Sequence, residues 1–422
     1  MLAQQPHSWD AQHRANQHQA KKHQPLDSVP VTDLPSRVTR TRLRASGRLD
    51  IFWELCTSDW DAPWAGRTGA EQLAANGRRL LRPYDLSVPR EEAMKRLWGC
   101  RQGAPRFVGL RILAAIYHWH VLTTEQIASL VGTKSIEADL RALWQAGLVW
   151  QGSVAPRMLW TEKASPVLWR ITPSVNIGRL LHEMTPWERL GVLAGPEWQP
   201  QVPHVVHDLV ATDITLRAAE LVPSVAAVYG ERLSGADRLT GLPAGVTGLA
   251  RGDAVWARSD GLRIVVELST AAYKQGYAKA GRWARVLEAD RSRSLFVLFV
   301  SAVHPVHRSH ALAWSEQAYR RAVAEAAWSS VAAVDAGVPE RMGVVSLADW
   351  APAPMRVVPN FADLPVWRPT GPPGDRWQPA DLADPSQVTF NPVDTDEALA
   401  PIRNAAKVYA MPWWLANPAG LS

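Results

Sequence analysis

Two carboxylates and two nearby lysines offer the most pointed chemistry in this chain. The stretch from Arg251 reads Arg-Gly-Asp-Ala-Val-Trp, then a polar turn at Ser259-Asp260-Gly261, then Arg263-Ile-Val-Val-Glu-Leu-Ser. Two short apolar strands joined by that turn put Asp253 and Glu267 on neighbouring strands, where cross-strand side chains converge. Carboxylates held in this way bind a hard divalent cation such as Mg or Mn through oxygen, which is the chemistry of many phosphodiester-cleaving enzymes. The run from Thr270 to Ala289 then reads as a helix. Its buried stripe is Tyr273, Tyr277, Ala280, Trp283, Ala284 and Leu287, and Lys274, Lys279, Arg282 and Arg285 are its basic positions. The bland alternative for the two acids is a strand-end carboxylate beside a turn, or one paired with Arg263 or Arg251.

Elements on both sides are needed to hold such a pair. From His204 to Leu221 the spacing predicts a helix carrying Asp208 near its start, and Val225–Tyr229 is a candidate strand. The glycines between Gly241 and Gly248 fit neither a dinucleotide nor a P-loop pattern. Leu295–Val300 is a continuous apolar strand of the kind buried under helices, followed by a helix over 309–328 and a strand from Gly343. The resulting order of helix, three strands, helix and strand is that of an endonuclease-like α/β core over 204–350, with Asp208 as a further carboxylate for the metal.

Upstream, apolar residues from Phe107 to Tyr117 recur at helical spacing. Thr123 and Gln126 form a capping box before Ile127, Leu130 and Val131, and Ser135–Ala146 is a third helix stopped by Gly147. Strands follow at Leu148–Trp150 and, after a turn through Arg157, at Met158–Trp160, with a further strand at Val167–Ile171. Three helices and a hairpin over 105–172 describe a winged helix-turn-helix, a DNA-binding module whose second motif helix enters a major groove. Lys134, Ser135, Arg141 and Arg157 would face the DNA; protein contact is the alternative use of such a module.

The margins look different. Residues 1–48 read as a disordered basic arm whose Arg37, Arg40, Arg42, Arg44 and Arg48, with no acid between them, suit phosphate contacts. Residues 49–104 carry only weak periodicity and stay unassigned, and 173–203 is a proline-broken connector. Residues 351–422 read as a Pro-rich tail ending in Met411-Pro-Trp-Trp, which either docks on a partner or packs back on the protein. The fold class expected is therefore α+β multidomain.

A formal charge of +6 over 422 residues agrees with an anionic partner, DNA first. The two cysteines, Cys56 and Cys100, fit neither a disulfide framework nor a zinc spacing, which suggests a reducing, cytoplasmic setting. No apolar run approaches the roughly 20 residues of a membrane span, and no signal peptide is visible.

Thr124-Glu-Gln-Ile-Ala-Ser-Leu, Leu168-Trp-Arg-Ile-Thr, His207-Asp-Leu, Gly252-Asp-Ala-Val and Val266-Glu-Leu together resemble the replication-relaxation family of plasmids and integrative mobile elements. The resemblance covers about Pro105 to Val303. It implies a DNA-binding role in plasmid replication, relaxation or mobilisation, with a relaxase or replication protein as a possible partner. The second half is similar to the restriction-endonuclease-like fold, whose motif is an Asp, a spacer and Glu-x-Lys. Asp253 and Glu267 match its acids, but Ser269 occupies the lysine position. A serine hydroxyl supplies no positive charge, so the resemblance implies a non-catalytic, nuclease-shaped domain unless Lys274 or Lys279 reaches back into the site.

Overall fold

In the computed structural model, α1 (Ala104–Trp119) ends where His120 adopts a left-handed backbone, φ 63°. That conformation is uncommon for a residue with a Cβ, and it turns the chain sharply into β1 (Leu122–Thr123). The structure describes residues 28–55, 64–76, 86–98, 104–153, 166–172, 176–195, 204–248, 250–270, 276–304, 310–371, 376–405 and 407–416.

The expected capping box opens α2 (Thr124–Val131). Thr123 Oγ1 accepts from Gln126 N at 3.1 Å, and Gln126 Oε1 accepts from Thr123 N at 3.0 Å. Gly132 ends α2 in the left-handed region, and Gly147 (φ 76°) does so after α3 (Glu137–Gln145), with Ile136, Leu140 and Leu143 buried as their spacing requires. A hairpin of β2 (Val149–Ser153) and β3 (Val167–Ile171) follows, and β1 pairs with β3. Among the described residues the hairpin partner of β2 is Val167–Ile171, the further strand expected there; Met158–Trp160 and Arg157, expected in the return and turn, lie outside the described residues.

The second unit is built on α4 (Val205–Leu221) and a mixed seven-stranded sheet. β4 (Val225–Gly230), β5 (Ala254–Arg258) and β6 (Arg263–Ser269) run as an antiparallel meander. α5 (Gly276–Ala289) leads to β7 (Leu295–Ser301), parallel to β6, and α6 (His310–Ala327) leads to β8 (Met342–Ser346), parallel to β7. Every residue of β7 is buried, as its unbroken apolar sequence demands.

The margins depart from expectation. From Ser28 on, the supposed disordered arm is ordered: Val31, Val38 and Leu43 enter the main core, and Val29–Pro30 pairs with Arg356–Val357. Residues 49–104 contribute the helices Ile51–Leu55, Arg67–Ala75 and Arg90–Trp98, and Trp64–Ala65 pairs with β2. Nor do the described residues between 351 and 416 form a loose tail. β9 (Pro365–Pro369) and β10 (Trp377–Asp381) extend the sheet beyond β8, and Thr395–Ala405 is a helix. Trp414 is buried, donating its Nε1 proton to Ala219 O, so the terminal aromatic pair packs on the protein itself. One apolar core runs from Val31 through Ile127, Leu209 and Trp256 to Trp414, so the units expected as separate domains share an interior.

Candidate functional site

Antiparallel register brings the two acids together. Ala254 faces Val266, and Asp253 N donates to Val266 O at 2.7 Å, so Asp253 stands one step beyond that pair, opposite Glu267. Asp253 Oδ2 also accepts from Leu268 N at 2.6 Å, which fixes the carboxylate against β6.

Glu267 is 1% exposed, and both of its oxygens are engaged from α5. Lys279 Nζ lies 2.7 Å from Oε2, and Trp283 Nε1 donates to Oε1 at 2.6 Å. Lys279 and Trp283 are four residues apart on one helix face, so a single helix supplies both donors. Lys279, expected among the basic positions of the helix and as one substitute for the missing lysine, is thus at the site. Lys274 lies outside the described residues.

Burial and the charge of Asp253 push Glu267 up to about 7, against the pull of Lys279 and Trp283. Burial alone would raise Asp253, yet His207, Lys279 and the Leu268 N–H hold it below its ordinary value. Two opposed acids therefore differ in proton affinity because their environments differ, an arrangement common at sites that move protons or bind cations.

α4 adds the next layer. His207 Nε2 lies 3.3 Å from Asp253 Oδ2, and its Nδ1 lies 3.6 Å from Asp208 Oδ1. Burial would lower this imidazole, but Asp253 and Asp208 keep it well above its usual range, so it is a cation bridging two carboxylates. Asp208, expected beside Asp253 and Glu267 as a metal ligand, lies across His207 from Asp253, and both line one small cavity. Asp208 Oδ2 accepts from His204 N at 3.0 Å and lies 3.9 Å from His120 Nδ1, and burial lifts this carboxyl to about 6. Of the structural alternatives for the acids, pairing with Arg263 does not form, because Arg263 donates to Leu239 O, whereas Asp253 does stand at a strand end with its carboxylate on a backbone N–H.

The expected DNA-facing residues divide sharply. Arg48 is buried in an ion pair with Glu220 at 3.2 Å, Arg37 donates to the carbonyls of Val225 and Pro223, and Arg44 donates to Val38 O. These three guanidinium groups serve the fold, which corrects the reading of the whole run as phosphate-binding. Arg42 is exposed, and Arg40 is exposed while reaching Gly132 O and stacking over Trp413. Lys134, Ser135 and Arg141 are exposed at the start and on the outer face of α3.

His207, His120, Glu231 and Trp283 were not singled out as site residues from the sequence. His207 had a signal in its place beside Asp208 on a helix, but His120 and Glu231 arrive from other elements with none. Comparison with protein-family models, with curated proteins and with solved structures finds no match to this chain.

Proposed function

We propose that this chain is a DNA-binding protein whose sheet-centred unit is a metal-dependent phosphodiesterase core of the restriction-endonuclease type. The observation that carries the reading is the contact of Lys279 with Glu267 directly across from Asp253, an Asp, Glu and Lys set in which the lysine comes from α5 in place of Ser269. The order α4, β4–β6, α5, β7 agrees with that core. The three helices and hairpin ahead of it have the order of a winged helix-turn-helix, with Lys134, Ser135 and Arg141 where a recognition helix meets DNA. The role in replication or mobilisation of a plasmid or integrative element, implied by the sequence resemblance, is part of this proposal.

The residues fit a cation. Asp253 is held ionised, and each Glu267 oxygen accepts one N–H while keeping a second lone pair. A Mg or Mn ion held by Asp253 and Glu267 would supply Lewis acidity toward a phosphate oxygen and a more acidic water. Lys279 neutralises Glu267 in the resting state and offers a positive charge to the phosphate. Trp283 fixes the rotamer of Glu267, and His207 keeps Asp253 ionised and aligned.

Supercoiled plasmid incubated with the protein and Mg or Mn should be nicked, and Asp253→Ala and Lys279→Met should each abolish nicking while gel-shift binding persists. Absence of nicking by the wild-type chain with both metals would overturn the enzymatic reading. A second reading, a DNA-binding scaffold without catalysis, is favoured by one observation: both Glu267 oxygens are already occupied in a nearly inaccessible residue. Salt-sensitive DNA binding without nicking is its signature.

A further inference from the structure

Behind His207 lies a second group of ligating side chains that the phosphodiesterase reading does not use. His120 Nδ1 is 3.2 Å from Glu231 Oε2 and 3.9 Å from Asp208 Oδ2, and one ligand atom from each of the three residues falls within 4.8 Å of the others. They come from three places: His120 from the turn after α1, Asp208 from the first turn of α4, and Glu231 from the residue after β4. The approach of α1 to the end of β4 depends on Gly230, since a Cβ there would overlap His118 O and crowd the ring of Trp119.

A water-sized cavity is lined by these three residues together with His118, His207 and Asp253. His118 points independently to an occupant. It is buried, its Nε2 lies 2.9 Å from Val192 O, and its Nδ1 has no hydrogen-bond partner. A ring nitrogen donating to a carbonyl leaves the other nitrogen as a bare lone pair, and an imidazole oriented by a backbone carbonyl is the usual state of a metal-binding histidine.

We propose that His120, Asp208 and Glu231 form a binding site for a divalent transition-metal cation of the zinc or manganese class, with His118 Nδ1 meeting the ion's shell through a water. An imidazole with two carboxylates suits such ions better than Mg, which prefers an all-oxygen shell. The ion would join the end of α1 to α4 and β4, fastening the helical unit to the sheet-centred one.

This proposal does not rest on the phosphodiesterase reading, because Asp253, Glu267 and Lys279 are not its ligands. Calorimetric titration of the full, EDTA-stripped chain with Zn²⁺, Mn²⁺ and Mg²⁺ tests it. About one equivalent of Zn²⁺ should bind, weakened at least about tenfold by His120→Ala and by Glu231→Gln and unaffected by Glu267→Gln. Mn²⁺ and Mg²⁺, which Asp253 and Glu267 would also hold, serve to show which binding is lost in Glu267→Gln alone. Glu231 is half-buried at the rim, so its variant keeps the test available if His120→Ala does not fold. The proposal is overturned if Zn²⁺ does not bind, if Zn²⁺ binding survives both variants, or if it is lost in Glu267→Gln alone, since the ion would then sit at the other site.

Discussion

Helix α4 carries buried charge at both ends, and the two ends handle it in opposite ways. In its C-terminal half every acid has a guanidinium partner, Asp213 sharing Arg217 with Asp50. Arg217 lies 3.1 Å from Asp50 and 3.0 Å from Asp213, while Glu220 takes Arg48, Ser36 Oγ and Ala45 N. In its N-terminal half His207 and Asp208 join a group in which Asp253, Glu267, Asp208 and Glu231 face the cations of His207 and Lys279. The matched cluster ties the segment from Ser28 to Asp50 onto the core. The other is left unmatched by packing rather than by charge: Arg232 and Arg251 also act on Glu231, and side chains of this group line a cavity. Full packing marks structure here, and open space beside buried carboxylates marks the candidate site.

The contrast can be broken most forcefully at the matched end. Arg217→Ala leaves Asp50 and Asp213 buried without their shared cation and should lower unfolding free energy by about 3–5 kcal/mol in denaturant titrations. At the unmatched end, Lys279→Met should change stability far less but reduce nicking on the order of 10²–10³-fold. If it unfolds the protein as severely as Arg217→Ala, the two ends do not differ in kind.

pH sharpens the same difference. Glu267 is raised from 4.5 to about 7 in the folded state, so between those values the folded protein holds a proton that the unfolded chain has released. This group's stabilisation is complete below pH 4.5 and is lost as pH rises through about 7, with a slope of up to about 1.4 kcal/mol per pH unit. Asp208 acts with the same sign between 3.8 and about 6. His118 and His120, lowered to about 4 and about 3 by burial, act with the opposite sign over much of the same window. The contribution of Glu267 is therefore read as a difference: in metal-free thermal melts Glu267→Gln should gain stability relative to the wild type as pH rises from 4.5 to about 7. The smallest effect belongs to the surface of α3: Lys134→Ala should weaken DNA binding by about 1 kcal/mol or less and make it less dependent on salt.

Legibility in the sequence followed distance along the chain. The capping box at Thr123, the stop at Gly147, the buried strand β7 and the opposition of Asp253 to Glu267 are local patterns, and all four are present. Lys279 was within reach because it lies on the helix after Glu267. His120 and Glu231 were not, because nothing near them in sequence indicates that α1 ends against β4. The arginine run was misread for a related reason: it contains no acid, but Glu220, the partner of Arg48, waits on α4. The proline-rich end was misread because prolines that forbid a central strand are tolerated at strand ends and sheet edges. Pro365 and Pro369 bound β9, and Pro379 lies on the edge strand β10.

The docking of Trp413 and Trp414 has a further consequence for how the protein is made. Trp414 reaches Ala219 O, Arg40 stacks over Trp413, and Arg111 donates to Met411 O, so residues near the end of the chain close over both the segment after Ser28 and the helices that follow Ala104. On a ribosome those partners emerge hundreds of residues before the tryptophans that cover them. Until Trp413 and Trp414 emerge, the apolar groove that they cover stays open to solvent, so its closure is a non-local step of folding that leaves that groove exposed to aggregation while it waits.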